Sequence, residues 1–410
     1  MKLLGRSPRL ASVALAGAVV LALPLALAAP LGLAPLLVVA SVLILLGDGW
    51  PRQVDRTFPL SSMVLVALIL WGTASAIWSI DPARSASMGA RLALTFGAGA
   101  ILLDKALRLD PAGRRVLALA AVIGTGIGLL LLLAEVATDQ ALLRAGRALL
   151  GSREPTPVMM NRAATVAALM VWPAVYALYR LRGLWPALVL FAVALIALSF
   201  LENTTAFLAC IVGLAVCVLA WAAPHATRRL VIAGSIAGIL AAPLAVSVLT
   251  EREDLHMQVK PSAVHRLMIW QFTVDRIDER PWLGWGLESA RELPGGDKEV
   301  TFTTRDGTWT RQSLPLHTHN AALQVRVELG IFGSVLFAIL IAAIGFSLGR
   351  VAERPAHAAR LALLATTLTV SMASYGVWQF WWLAAVALAL AAMVGVGLPD
   401  PKETDTSRRR

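Results

Sequence analysis

The feature that most constrains this chain is a series of long apolar stretches, separated by short segments that carry most of the charge. A helix needs ~20 apolar residues to cross a bilayer, and about twelve stretches approach that length. Unbroken apolar runs also differ from the alternating pattern of a membrane β-barrel, so helices are the expected spanning elements. The stretches lie near residues 9–28, 31–47, 60–78, 88–103, 115–135, 163–180, 184–200, 205–222, 229–249, 328–348, 358–376 and 378–397.

The composition supports a membrane protein and argues against a nucleic-acid-binding protein. Hydrophobic residues make up 58% of the chain and charged residues 15%, whereas soluble proteins are nearer a quarter charged. The net charge is +11, but lysine and arginine fall mostly in short loops between apolar stretches. We therefore predict no nucleic-acid partner. The predicted fold is all-α, a polytopic integral membrane protein of about 12 transmembrane helices with membrane lipids as partners.

The distribution of basic residues predicts the orientation of the helices. With twelve spans, the basic loops fall on one side together with both termini, and the short loops of the other side are poor in cations, so both termini should be cytoplasmic. The basic start, Met1–Arg9, precedes an apolar run that is too long for a cleaved signal peptide. The basic residues on the predicted cytoplasmic side are Lys2, Arg6, Arg9, Arg52, Arg56, Lys105, Arg108, Arg114, Arg115, Arg180, Arg182, Arg228, Arg229, Arg350, Arg354, Arg360, Lys402 and Arg408–Arg410.

Two segments interrupt this pattern on the opposite, outer side. They are residues 136–162, which contain Arg144, Arg147, Arg153 and Arg162, and residues 250–327, a large hydrophilic stretch. We predict transmembrane helices 1–9 in residues 1–249, a loop domain at 250–327, helices 10–12 in 328–397 and a cytoplasmic tail at 398–410. A long insertion in a compact protein is usually functional. Ser262–Arg280 has the spacing of an amphipathic helix, which Pro281 ends before the turn-rich PWLGWG. Residues 292–311 are predicted as loop, with a hairpin as an open alternative.

A polar cluster marks the point where the chain re-enters the membrane after this loop. The stretch Leu314–Gly333, LPLHTHNAALQVRVELGIFG, holds His317, His319 and Asn320 before an apolar segment. Polar groups at such a place are costly and therefore candidate functional residues. A histidine that caps a helix is the ordinary alternative. The convergence of two histidines and an asparagine favours function, more for His319 than for His317, because a neutral imidazole can accept a proton near neutral pH.

Several arginines are further candidates. Arg266, beside His265 in the loop helix, suits the binding of phosphate oxygens, although a solvated charge is the usual role of such a residue. Arg162 begins an apolar stretch and could bind a substrate or anchor the helix at the headgroups. Arg326 and Glu328 could bind each other or line a cavity, with the structural role favoured.

The sequence has no nucleotide-binding glycine loop, no H-E-x-x-H motif and no cysteine ligand cluster. The pair His317 and His319 has no evident third metal ligand, and the acids of the loop helix keep only a small chance of a metal site open. We therefore predict no cofactor and no metal.

The stretch HTHNAALQVRVELGIFG resembles the O-antigen ligase family. That family carries His, then Asn, Ser or Gln, nine further residues, Gly, two more residues, and Gly, Thr or Tyr. His319, Asn320, Gly330 and Gly333 match all four positions. The run RLMIWQFTVDRIDERPWLGWG, from Arg266, is similar to the family's loop segment. Arg162, in NRAA, resembles the family's essential arginine at an outer span entrance.

The resemblance implies an enzyme of the bacterial inner membrane whose large loop and active site face the periplasm. Such enzymes transfer polysaccharide from undecaprenyl pyrophosphate to lipid A–core oligosaccharide. Here the resemblance implies a metal-independent, inverting transfer. The predicted catalytic residues are His319, Arg266 and Arg162. The predicted substrate-binding residues are His317, Asn320, Arg326, Gly330, Gly333 and His265.

Three other functions stay open at this stage. An O-antigen or exopolysaccharide polymerase and a protein O-oligosaccharyltransferase belong to the same superfamily. A transporter or flippase is the alternative from another class. Transporters place charges at the membrane midplane on broken helices, whereas the polar residues here gather at one face, which favours an enzyme.

Overall fold

The computed structural model describes residues 8–49, 60–149, 157–250, 260–348 and 353–396. Within these ranges the chain forms fourteen α-helices and one two-stranded sheet. The elements are α1 Pro8–Ala28, α2 Leu33–Asp48, α3 Leu60–Ala74, α4 Pro82–Leu107, α5 Pro111–Ala137, α6 Ala141–Leu149, α7 Asn161–Arg182, α8 Leu184–Ser199, α9 Thr204–Ala222, α10 Pro224–Thr250, α11 Pro261–Glu279, β1 Glu299–Thr304, β2 Gly307–Gln312, α12 Ala321–Leu348, α13 Arg354–Ala373 and α14 Phe380–Val396.

The predicted all-α membrane architecture is confirmed in its coarse form. Among the described residues, nine helical segments are long and apolar enough to cross a membrane, and Leu184–Ser199 and Phe380–Val396 are shorter apolar helices. Each predicted apolar stretch falls largely on a helix, while the count of twelve spans stays a prediction. Part of the orientation argument, including the tail 398–410 and the side chains of Lys2, Arg6, Arg9, Arg52, Arg56 and Arg350, lies outside the described residues.

Helix boundaries extend beyond the apolar stretches where polar residues continue a helix. The stretch predicted at 88–103 is part of α4, which runs from Pro82 to Leu107. The Asp81 side chain accepts a hydrogen bond from the backbone N–H of Arg84, and Pro82 suits the first helical turn. Hydropathy alone therefore underestimated the length of this helix, because polar residues occupy both of its ends.

The helices pack into two groups with separate cores. One core joins residues of α1, α2, α5, α7 and α14, among others. The other joins α3, α10, α11 and α12. The short loop from α13 to α14 contributes to both, since Tyr375 packs against the first core and Trp378 lies in the second. Residues of this loop are therefore placed where the two groups meet.

The predicted loop helix is confirmed as α11, Pro261–Glu279, which buries Val264, Ile269, Val274 and Ile277. The stretch 292–311, for which loop and hairpin were both open, contains β1 and β2 in an antiparallel hairpin. This hairpin is a small β addition to a helical fold.

Candidate active site

One end of the helix bundle collects the polar groups that the sequence singled out. At this end, called the site end here, α7 and α12 begin and α13 leads into α14. The opposite end holds the ion pairs Lys105–Asp48 and Arg180–Glu353. The site residues and these ion pairs therefore lie at opposite ends of the bundle.

Helix α11 is fixed to the histidine segment by a tryptophan. The indole Nε1 of Trp270 donates to the carbonyl oxygen of Thr318 at 2.8 Å. Arg266 lies four residues earlier, so it shares a helix face with Trp270. Arg266 is therefore directed toward the residues on either side of Thr318, which are His317 and His319.

The segment His317–Asn320 is held by its own hydrogen bonds before α12 begins. The Asn320 Oδ1 atom accepts from the backbone N–H of Leu323 at 3.1 Å, which is the geometry of a helix N-cap. The Thr318 hydroxyl donates to the carbonyl oxygen of Asn320 at 2.7 Å. His319 adopts a left-handed conformation with φ 54°, uncommon for a residue with a side chain. The turn thus fixes the direction in which the His319 ring leaves the backbone.

The ring nitrogens of the two histidines have assignable roles. The Nδ1 atom of His319 contacts the carbonyl oxygen of Ser374, which can only accept, so Nδ1 carries the hydrogen and Nε2 keeps its lone pair when the ring is neutral. The backbone N–H of His319 donates to Nδ1 of His317 at 3.2 Å. A neutral His317 therefore carries its proton on Nε2. The site thus presents one basic nitrogen and one ring N–H donor.

Both rings are held neutral by their surroundings. Burial, with a contribution from the Arg266 charge, lowers the pKa of His319 to about 4, against the effect of the Ser374 hydrogen bond. Burial, followed by the charges of His319, Arg291 and Arg266, lowers the pKa of His317 to about 3. At neutral pH each imidazole is therefore uncharged.

Arg162 reaches the same end of the bundle from α7. Its guanidinium lies 5.5 Å from the centroid of the Trp381 ring. The Tyr375 hydroxyl donates to the carbonyl oxygen of Asn161 at 3.0 Å, which ties the loop after α13 to the start of α7. The Arg162 charge partly offsets the burial that raises the pKa of Tyr375. Burial lowers the pKa of Arg266 and the Tyr375 phenol acts against this effect, so electrostatic interactions link Tyr375 to both arginines.

The loop Ser374–Gln379, which the sequence reading passed over, organises the site. Besides the bonds of Ser374 and Tyr375, Gly376 packs against the His317 ring, which a Cβ would approach to 3.2 Å. The backbone N–H of Val377 donates to Gln324 Oε1 at 3.0 Å. A signal was present in the sequence, because SYGVWQFWW places aromatic and polar residues between two apolar stretches.

A fully buried carboxylate anchors this loop to α12. Glu328 accepts hydrogen bonds from Trp378 Nε1 at 2.7 Å, from Gln324 Nε2 at 3.0 Å and from the backbone N–H of Glu288 at 2.7 Å. None of these donors belongs to Arg326, so the option that Arg326 neutralises Glu328 is not the arrangement observed. The structural role that the sequence favoured applies to Glu328.

Gly330 marks a break in α12 that residues 281–286 fill. Its backbone has φ 66° and ψ −163°, and a Cβ there would lie 1.9 Å from the carbonyl oxygen of Trp282. The backbone N–H groups of Trp285 and Gly286 donate to the carbonyl oxygens of Val327 and Glu328 at 2.9 and 2.8 Å. These bonds satisfy carbonyl groups that the break releases from the helix ladder.

The remaining predicted residues have structural contacts. His265 Nε2 bonds the carbonyl oxygen of Gln312 at 2.9 Å, so it holds the hairpin against α11. Gly333 lies one turn after the break, where a Cβ would meet that of Leu329 at 2.3 Å. Asn320 caps α12. Arg326 is half-buried, and its Nε finds no acceptor among the described residues. Substrate binding by these residues and by Gly330 stays a prediction.

An apolar cleft opens between the two helix groups below the loop. It has about 200 Å³ of internal space, and its walls come from α3, α4, α12, α13 and α14. Leu287 and Trp378 line it near the site end, and Arg360 and Met393 line it further along. In the described part of the chain, no group of three or more His, Cys, Asp or Glu residues is arranged to hold a metal ion.

Residues 200–338 match the protein family described as O-Antigen ligase, a range that includes Arg266, His317, His319 and Gly330. A Rickettsia bellii protein named "Putative polysaccharide ligase" is 30% identical over 244 residues, covering 59% of each protein. A Rickettsia conorii protein with that description is 29% identical over 245 residues, again 59% of each. A Rickettsia felis protein of the same name is 28% identical over 293 residues, 71% of this chain and 70% of that protein. The chain thus spans 59% of the length of the first two relatives.

Proposed function

We propose that the chain, whose residues 200–338 match the O-antigen ligase family and which is similar to proteins named polysaccharide ligase, transfers a polysaccharide from undecaprenyl pyrophosphate to a sugar hydroxyl of lipid A–core oligosaccharide. The observation that carries this proposal is the arrangement around Ser374 and Tyr375. Ser374 orients the His319 ring so that Nε2 keeps its lone pair. The charge of Arg266 acts on this ring, and the charge of Arg162 acts on the adjacent Tyr375.

In this proposal His319 is the general base. Its Nε2 atom takes the proton of the acceptor hydroxyl while that oxygen forms a bond to the anomeric carbon of the donor sugar. A positioned base of this kind contributes roughly 10²–10⁴-fold to rate. The Ser374 carbonyl oxygen stabilises the resulting imidazolium through Nδ1–H.

Arg162 and Arg266 bind the leaving group. As the new bond forms, the bond from the anomeric carbon to the pyrophosphate oxygen breaks and its electron pair stays on the pyrophosphate. Hydrogen bonds from guanidinium groups to a charged oxygen are worth about 1.5–3 kcal/mol each. They favour the transition state because the negative charge grows there. A single displacement inverts the anomeric centre and needs no metal ion in this scheme.

The low pKa of His319 fits a base that strengthens when the donor binds. In the empty site, burial and the Arg266 charge disfavour the imidazolium. A bound diphosphate brings negative charge and compensates the arginine, and both effects raise the pKa of a nearby imidazole. The proton is then accepted most readily when the leaving group is in place.

The architecture supports a lipid-linked donor. The apolar cleft beneath Trp378 is suited to the polyprenyl chain, because its lining is almost entirely hydrocarbon. We further propose twelve spans, inner-membrane location, both termini in the cytoplasm and the site end in the periplasm. The charge distribution of the loops supports this orientation.

A deletion strain tests the proposal. Its lipopolysaccharide is compared by gel electrophoresis after complementation with wild type, His319→Ala or His225→Ala. His225 is an exposed histidine at the opposite end of the bundle and serves as the control. We expect the ligated ladder with wild type and His225→Ala and its loss with His319→Ala at equal protein level.

The form of the accumulated donor separates the alternatives. Long polymer that remains on its lipid carrier in the deletion strain supports a ligase. Single repeat units on the carrier would instead identify a polymerase. Glycosylated protein that is present in wild-type extracts and missing from the deletion strain would identify a protein oligosaccharyltransferase. Purified enzyme should remain active in excess chelator. Activity that is lost in chelator and restored by a divalent metal ion would contradict the metal-free scheme.

A further inference from the structure

A second cleft lies between the start of α11 and one face of the β-hairpin. It has a volume of about 470 Å³ and opens beside His265, the neighbour of Arg266. Its chemistry differs from that of the apolar cleft, because cations and aromatic rings dominate the lining. Its lining includes the side chains of Lys260, His265, Phe302, Arg305, Trp309 and Arg311.

The two faces of the hairpin differ in composition. Phe302 is paired with Trp309 across the strands, and Arg311 follows on the same face two residues later. On the other face the hydroxyls of Thr301 and Thr310 lie 3.1 Å apart. The aromatic and cationic residues are thus gathered on the face that lines the cleft.

The cleft has a fixed aromatic wall. Phe302 is buried and stacks on the His265 ring, with centroids 6.0 Å apart and an interplanar angle of 13°. His265 is in turn bonded to the carbonyl oxygen of Gln312. These contacts attach the hairpin to α11, so the aromatic wall is held at a fixed distance from Arg266 on the same helix.

Trp309 offers a stacking surface and an unused donor. Its ring is half-exposed, while its Nε1 atom is buried and has no acceptor among the described residues. Buried indole N–H groups usually find a partner, so an acceptor supplied by a ligand after a small movement of the ring would satisfy this donor. The Arg311 guanidinium lies 5.3 Å from the ring centroid, which places a positive charge over the same surface.

The charge of the cleft is positive. Lys260, Arg305 and Arg311 face a single lining acid, Asp306, which pairs with Arg305 at 3.5 Å. Guanidinium groups bind phosphate and carboxylate oxygens in a directed, bidentate manner. An aromatic face beside such cations suits a sugar ring that carries an anionic substituent.

We propose that this cleft binds an anionic oligosaccharide and serves as a subsite for a sugar chain entering the transfer site. The inference rests on the proposed function for the identity of that chain as a substrate. Two sources share the chemistry, namely the phosphorylated core of the acceptor and an acidic polysaccharide of the donor. Both would pass His265 to reach Arg266 and His319.

Binding to full-length protein in detergent tests the subsite. The probes are core oligosaccharide freed of lipid, the same material after chemical dephosphorylation, and an acidic O-polysaccharide fragment. The variants are Arg305→Gln with Arg311→Gln, Trp309→Ala and Trp309→Phe, with Lys298→Gln as control. Lys298 is exposed near the same hairpin but outside the cleft.

We expect the double arginine variant to weaken binding of the anionic probes at least tenfold, and added salt to weaken wild-type binding. Trp309→Ala should weaken the binding of every probe, and Trp309→Phe should weaken binding less. Lys298→Gln should bind the probes as wild type does. The anionic probe that binds more tightly identifies the source. Thermal melts confirm that the variants fold.

Equal binding of the anionic probes by wild type and by the double arginine variant would overturn the proposal. The proposal would also fail if the phosphorylated and dephosphorylated core bind equally and the acidic polysaccharide does not bind. The His319→Ala protein separates this inference from the proposed function. It should bind the probes normally, so probe binding without any ligation by wild type would refute the function and keep the subsite.

Discussion

The Nδ1 atom of His319 contacts the carbonyl oxygen of Ser374, a residue 55 positions later in the chain. This contact joins the segment before α12 to the loop after α13 and leaves Nε2 as the basic atom of the ring. The next residue, Tyr375, reaches the start of α7. Two adjacent residues therefore set the position of the proposed base relative to Arg162.

Replacing Tyr375 by Phe should slow transfer without unfolding the protein. The change keeps the ring against Trp381 and removes only the hydroxyl that donates to the carbonyl oxygen of Asn161. One such hydrogen bond is worth about 0.5–1.5 kcal/mol, so kcat/KM for the donor should fall roughly two- to tenfold. Kinetics with purified protein measure it. Tyr179→Phe, near the other end of α7, is the control, and an equal loss there would contradict a positioning role.

Trp378→Phe should destabilise the protein. It removes one of three donors to the buried Glu328 carboxylate and leaves an acceptor unsatisfied. The expected cost in unfolding free energy is about 1–3 kcal/mol. Thermal unfolding in detergent measures it, with the half-exposed Trp221→Phe as control. Equal melting temperatures of the two variants would show that the Glu328 network does not hold the loop.

Gly330→Ala should abolish assembly or greatly lower the yield of folded protein. A Cβ would collide with the Trp282 carbonyl oxygen, and φ 66° strains any residue with a side chain. Gly238→Ala in α10 meets nothing within 4 Å and should stabilise that helix by about 0.5–1 kcal/mol. Size-exclusion profiles of the two variants provide the comparison. A folded, active Gly330→Ala protein would refute the assigned packing role.

Acid should destabilise the fold through the buried histidines. The unfolded chain binds protons at His317 and His319 below pH 6.5, while the folded chain does so only near pH 3 and 4. Stability from the neutral rings is thus fully present above pH 6.5 and is lost as pH falls toward these values. Between pH 7 and 5, His317 alone should account for about 2 kcal/mol. Melting curves at both pH values measure the loss, and His317→Asn should reduce it.

The same titration gives a direct measure of the Arg266 charge. Arg266→Gln should raise the pKa of His319, because a nearby cation disfavours the imidazolium. NMR of ring-labelled histidine follows this in the protein without substrate. An unchanged or lower His319 pKa in that variant would show that the Arg266 charge does not disfavour the His319 imidazolium.

The sequence predicted most helices because an apolar stretch of bilayer length has few alternative structures. It also singled out His319, Arg162 and Arg266, whose residue types and positions at span ends are visible locally. Their mutual arrangement was not visible, because it depends on the hydrogen bond between Tyr375 and Asn161, two residues 214 positions apart in the chain. No sequence periodicity or motif spacing predicts such a contact.

Gly330 shows a second limit. Substrate binding by Gly330 stays a prediction, and the structure adds a close packing of this residue against the Trp282 carbonyl group that the sequence did not indicate. A motif identifies positions that matter without separating contact with a substrate from support of the backbone. The hairpin cleft was equally hidden, because Trp309 and Arg311 belong to a polar stretch whose strand pairing was left open.

The break at Gly330 also links two segments during assembly. Residues 281–286 precede residues 327–331 in the chain, so they are synthesised before their final partner exists. The carbonyl oxygens of Val327 and Glu328 in α12 accept hydrogen bonds from Trp285 and Gly286 of this earlier segment. We therefore predict that α12 and residues 281–286 reach their final structure together, and that a chain cut between them would leave α12 with unpaired carbonyl groups.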